Sequence, residues 1–248
     1  MIHRSEKTIW LTLLAMELTY VLLARVVVSN FGMYTLDAEY FRTPARLLLV
    51  VVYWVLFRDL LTSKKLTPQQ VSQPPFLVAL VLLMSVPLLV GDLSYMSPTT
   101  KSVYAAGSLI VGLREEFLFR GLIQNLLSRR IGDRAAILFT TFVFALWHVG
   151  VIPPLLFSYV QVIVAGLLLG TIYAKTRNLW FVVAIHTVYD ALWSFTPIFD
   201  GPIIPYRYGI ILLCLSLAGV VWWGRQTWSP KSAVNPDLVH KTAQGRLP

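Results

Sequence analysis

Long apolar runs separated by short polar punctuation dominate the chain. The runs lie near 8–28, 44–61, 76–95, 101–128, 134–152, 155–174, 178–197 and 204–224. Each has roughly the ~20 residues a helix needs to cross a ~30 Å hydrocarbon layer. The pattern predicts an all-α polytopic membrane helix bundle of about eight transmembrane helices in one compact domain. Residues 1–100 supply about three N-terminal helices, 101–197 a stretch much richer in polar groups, and 198–227 a last helix. Residues 228–248 are polar, contain Pro230, Pro236 and Pro248, and read as a mobile cytoplasmic tail. The first run has a short basic leader but carries Glu17 and no small-x-small cleavage site, so it reads as a retained anchor.

Composition strengthens this picture. The chain is 56% hydrophobic and 13% charged, against about 25% charged residues in ordinary soluble domains. The net charge of +9 follows the loops and gives no reason to expect a nucleic-acid partner. With the N-terminus in the cytoplasm, fourteen Lys and Arg fall on inner loops and ends and five on outer ones. That excess predicts cytoplasmic N- and C-termini. Cys214 is the single cysteine and lies in an apolar run, so a disulfide framework is excluded and a packing role is expected. The tail has no cysteine four residues from its end, so the chain is not expected to be prenylated itself.

Polar residues inside the apolar runs carry the candidate chemistry. In GLREEFLFRG (112–121) a helix puts Glu116 and Arg120 at i and i+4, the order and spacing of an ion pair. Glu115 is turned about 100° away and remains available as an acid or base. Arg114 points elsewhere and is expected to snorkel toward an interface or to contact substrate. His148 closes FALWH, and His186 and Asp190 share one helical face in HTVYD. Counted from the inner loops at ~1.5 Å per residue, Glu115, Glu116, His148 and Asp190 lie about 18–21 Å deep and His186 about 12 Å. They fall in one layer, as residues lining a wet pocket would. With His186 on its near side, that pocket is expected to open toward the cytoplasm. Glu17, about 14 Å deep, either lines the same pocket or pairs with an arginine. Glu115, His148 and His186 also have the donor chemistry of a zinc site. Motifs for a zincin, a nucleophile elbow or a phosphate loop are absent. Tyr173, Trp180 and Trp193 could line an acyl or prenyl groove or serve as belt and packing aromatics.

EEFLFR (115–120), FALWH (144–148) and HTVYD (186–190), in that order on three runs and with KTRNLW (175–180) leading into the third, resemble the CAAX protease and bacteriocin-processing (CPBP, or Abi) family of intramembrane proteases. Its motifs read E-E-x-x-x-R, F-x-x-x-H and H-x-x-x-N/D, and the resemblance covers about 101–197, the implied catalytic core. It implies that Glu115 is the catalytic carboxylate, with His148 helping to deprotonate water. Glu116 and Arg120 would support Glu115, while His186 and Asp190 manage the oxyanion. Position 190 is Asp where the best-studied pattern has Asn. An ionised carboxylate cannot donate to an oxyanion, so either Asp190 is protonated or it holds His186 as the donor; the i, i+4 spacing favours the second.

The resemblance implies a cofactor-free endopeptidase of a bacterial plasma membrane. It would cut a peptide bond near the cytoplasmic leaflet in a membrane-associated peptide or protein, prenylated or not. The alternatives are a zinc-dependent protease using the same residues and a non-catalytic immunity or scaffold protein.

Overall fold

The computed structural model describes residues 6–32, 35–61, 63–150, 152–153 and 155–227; the expected tail at 228–248 lies outside the described residues. Among these residues helices are the only regular secondary structure, without a strand. In chain order the helices are α1 (Glu6–Phe31), α2 (Leu36–Phe57), the single turn α3 (Pro68–Val71), α4 (Pro74–Val90) and α5 (Pro98–Glu116). A π-helical segment (Phe117–Gln124) continues α5, followed by α6 (Asn125–His148), α7 (Leu156–Thr176), α8 (Leu179–Trp193) and α9 (Tyr206–Thr227). This is the all-α membrane bundle that the hydropathy pattern predicts. Four helices, α1, α2, α7 and α9, are long and apolar enough to cross a membrane on their own. The shorter α4 and α8 have 17 and 15 residues and rise only ~25 and ~22 Å.

Helix boundaries depart from the apolar runs where polar groups find partners. α2 starts at Leu36 rather than near 44 because the Thr35 side chain caps it, accepting from the Ala38 amide at 3.2 Å. The charges in its first turns are also paired, Glu39 with Arg42 at 3.2 Å and with Arg46 at 2.7 Å. α6 is broken at Gly132, where φ is +78° and ψ 162°, a region essentially reserved for glycine. The arm before the break continues the π-helical segment. The arm after it folds back, so that Phe144 meets Phe119 edge-on at 4.9 Å. A Cβ at Gly132 would meet nothing within 4 Å, so only the backbone objects to a side chain. Gly132→Val should therefore destabilise the protein by about 1–3 kcal/mol, read as a lower Tm in detergent; an unchanged Tm would refute the strain argument.

Hydrocarbon chains outside the protein are as apolar as its core, so packing and polar contacts must hold the helices together. α4 presents Phe76, Ala79, Leu83, Val86 and Val90 as one buried stripe against Leu213, Val220 and Trp223 of α9. Ser216 of α9 donates to the Ala79 carbonyl at 2.7 Å. α5 and α8 approach closely at Gly112, where a Cβ would stand 2.6 Å from Thr187 Oγ1. Gly112 lies one turn before Glu115 and Thr187 lies next to His186, so this bare backbone brings two motifs together. The loops at the far end of these helices are tied by Arg177 to Asp133 (2.5 Å) and by Asn178 to the Lys64 carbonyl (2.8 Å).

Candidate active site

Three helices deliver the polar residues. Glu115 and Glu116 are the last two residues of α5, where the chain changes to π-helical turns with i→i+5 bonding. Arg120 lies within that segment and still reaches back to Glu116, its Nη1 donating to Oε1 at 3.0 Å. Its Nη2 donates to the Gly166 carbonyl of α7 at 3.3 Å, and its guanidinium lies 4.8 Å over the Phe144 ring. Glu116 is fully buried and Arg120 is 1% exposed.

The same Glu116 Oε1 also accepts from His186 Nδ1 at 2.7 Å. The sequence reading had Glu116 and Arg120 support Glu115. In the structure Glu116, held by Arg120, bonds to His186, because it is turned toward α8. His186 Nε2 faces Asp190 Oδ2 at 3.3 Å and Glu115 Oε2 at 3.8 Å. His148 Nε2 lies 4.0 Å from the same Glu115 Oε2. The other ring nitrogen, Nδ1, lies 2.8 Å from the Phe144 carbonyl. A carbonyl only accepts, so Nδ1 carries the hydrogen, and in the neutral form of the ring Nε2 has a free lone pair. All six motif residues thus meet, and Glu115 Oε2 is buried between two imidazoles without a hydrogen-bond partner.

These groups line a cavity of about 170 Å³, walled by Leu83, Phe144, Leu169 and Ile185. A larger one of about 470 Å³ adjoins it, and Val111, Ile152, Gln161, Val162 and Asp190 line both. The two form one vestibule and floor with these residues as the neck. The vestibule is built from the start of α2, residues 92–96, the start of α7 and the end of α8. That is the end of the bundle opposite to the loops counted as inner, whereas the expected mouth lay on the side of those loops. The cause is the rise of α8: Asp190, one turn beyond His186, stands at the mouth with its side chain 31% exposed, while His186 at 9% lies on the floor. At the rim, hydrogen bonds from the Ser94 side chain and amide (N to Oδ1, 3.1 Å) hold the Asp92 carboxyl below the usual range.

Several other expectations are settled by position. Arg114 does not snorkel: it is 2% exposed and hydrogen-bonded to Glu17, because a carboxylate on α1 meets it inside the bundle. Glu17 therefore takes the second of its two expected roles. Tyr173 is fully buried in the core and Trp180 is 49% exposed on the bundle surface, whereas Trp193 lines the vestibule. Cys214 is exposed on α9. Sequence reasoning missed Gln161, whose signal is a single amide in the otherwise apolar run YVQVIVAGLLLG, and Glu39 with Arg46, which border the vestibule from an early helix.

Residues 98–192 match the family model described as type II CAAX prenyl endopeptidase Rce1-like. No curated protein and no solved structure gives a match. The matched segment begins with the first turn of α5, ends inside α8 and contains Glu115, Glu116, Arg120, His148, His186 and Asp190. Over this segment the chain is similar to the Rce1-like CAAX prenyl endopeptidases, in agreement with the resemblance carried by its three motifs.

Proposed function

We propose that the protein is a glutamate-dependent intramembrane endopeptidase acting on a membrane-associated peptide or protein, of CAAX type or a peptide undergoing maturation. The observation that carries this reading is the unpartnered Glu115 Oε2 between His148 Nε2 at 4.0 Å and His186 Nε2 at 3.8 Å. One water can donate its two hydrogens to Glu115 Oε2 and His148 Nε2, which leaves its oxygen lone pair directed into the pocket. As the C–O bond forms, Glu115 takes the water proton. His186, held through Nδ1 by Glu116, turns its Nε2 toward the developing oxyanion. Collapse breaks the C–N bond, and Glu115 returns the proton to the leaving amine.

In this reading Asp190 keeps His186 charged as a donor and does not touch the oxyanion itself. Asp190→Asn should therefore retain activity within about tenfold, whereas removing an oxyanion donor with His186→Ala should cost about a hundredfold or more in kcat. Equal abolition by both would sink the supporting role of Asp190.

No metal enters the scheme. Ligand atoms bound to one zinc at ~2.0–2.1 Å stand ~3.3 Å apart, closer than the 3.8 and 4.0 Å separations here. His186 Nε2 is also shared with Asp190. The vestibule volume suits a peptide segment with an apolar attachment, and Gln161 offers the neck a neutral amide for a peptide backbone. With cytoplasmic termini, the vestibule faces the opposite side of a bacterial plasma membrane. The decisive experiment incubates the purified protein with prenylated and unprenylated peptide libraries, with and without chelator, beside Glu115→Gln. Cleavage that resists chelator and disappears in Glu115→Gln is expected. Loss on chelation with recovery on zinc would favour the metalloprotease, and absence of any cleavage would favour an immunity or scaffold protein.

A further inference from the structure

We infer that Glu17 and Arg114 form a clasp that sets the spacing between Glu115 and His148, so that α1, outside the matched segment, takes part in aligning the site. The inference rests on the reading of Glu115 and His148 as the water-activating pair. Arg114 immediately precedes Glu115, and Trp147 immediately precedes His148. The Arg114 guanidinium lies 5.0 Å over the Trp147 ring and 4.0 Å over the Tyr20 ring. Those two rings are themselves nearly parallel, at 13° with centroids 6.4 Å apart. Glu17 fixes the guanidinium from α1, and its other oxygen accepts from the Tyr53 hydroxyl of α2. Arg46 Nε then holds the Tyr20 hydroxyl at 3.1 Å. Thus the residues flanking the two catalytic groups touch, and four further side chains from α1 and α2 (Glu17, Tyr20, Arg46 and Tyr53) fix the plane of that contact.

The chemistry suits alignment. Apolar packing would attach α1 as firmly as a buried ion pair does, and Leu13 already contributes it on the same face. A planar guanidinium stacked on rings and bonded to a carboxylate adds orientation, which a sliding apolar contact lacks. A shift of about 1 Å between catalytic groups can cost a hundredfold in rate, so loosening this contact should be read in turnover rather than in binding. Glu17 and Arg114 are positioning residues: neither lines either cavity.

The test uses the full chain in detergent with a farnesylated peptide substrate and four variants: Glu17→Gln, Arg114→Lys, the pair together, and Leu13→Ala. Glu17→Gln and Arg114→Lys are each expected to lower kcat about tenfold with KM unchanged, and the double variant to lose no more than the worse single one. Leu13→Ala should lower Tm while leaving kcat per folded molecule unchanged. A readout independent of turnover is the ¹⁹F resonance of 5-fluorotryptophan at Trp147, which should shift or split in Glu17→Gln. A wild-type kcat and ¹⁹F line in folded Glu17→Gln, beside an inactive Glu115→Gln, overturns the clasp alone. Parallel loss of kcat and Tm, as for a merely structural contact, overturns it as well. Full turnover by Glu115→Gln removes the catalytic reading and the inference with it.

Discussion

Glu115→Gln should abolish peptide cleavage, lowering kcat by about a thousandfold or more, while the protein inserts and melts as the wild type does. General-base catalysis typically contributes about 10²–10⁴ in rate, and here the same carboxylate also returns the proton to the leaving amine. Glutamine matches the shape but can take no proton. The fold should tolerate the change because Glu115 Oε2 has no hydrogen-bond partner to lose and because a neutral amide is easier to bury than a carboxylate. The measurements are single-turnover cleavage and a melting curve on the same preparation. Full turnover would remove Glu115 from the chemistry, and a collapsed Tm would make the loss of activity uninformative about catalysis.

The second large effect is structural. Arg120→Leu should destabilise the protein by about 3–5 kcal/mol, because it leaves the fully buried Glu116 facing His186 without its cation. Removing both members, as in Glu116→Leu with Arg120→Met, should recover much of that stability, since the desolvation cost of both charges disappears. Activity should stay low, because His186 Nδ1 then has no carboxylate to hold it. Stability regained without turnover is the signature expected if Glu116 orients His186; restored turnover would show that the pair serves packing alone. Thermal unfolding and cleavage rates of the three proteins separate the cases.

Much of this architecture was legible in the sequence because membrane helices announce themselves by hydropathy. The six motif residues were legible too, since ionisable groups are rare and costly in apolar runs. Spacing gave Glu116–Arg120 and His186–Asp190, which are contacts within single chain segments. It could not give Glu116–His186, 70 residues apart, nor Arg114–Glu17, 97 apart. Both depend on which face each helix turns to its neighbour, and a depth count fixes height without rotation. Rotation also decides which end of the pocket is open: the ~6 Å rise from His186 to Asp190 follows from spacing, but which side chains wall it in does not. The early start of α2 was hidden because Glu39, Arg42 and Arg46 look like a loop until their pairing is seen.

The wide turns at Phe117–Gln124 bear on how this chain can vary in length. An α-helix advances about 100° per residue, so removing one residue from that segment would let it tighten toward α-helical bonding. Everything before Arg120 would then swing relative to everything after it. Glu115 and Glu116 could no longer face α6 and α8 while Gln124 kept its 2.8 Å bond to the Gly170 carbonyl. Insertions and deletions should therefore be excluded from these eight residues even where substitutions are tolerated, which makes the segment a fixed ruler between the carboxylates and the first arm of α6.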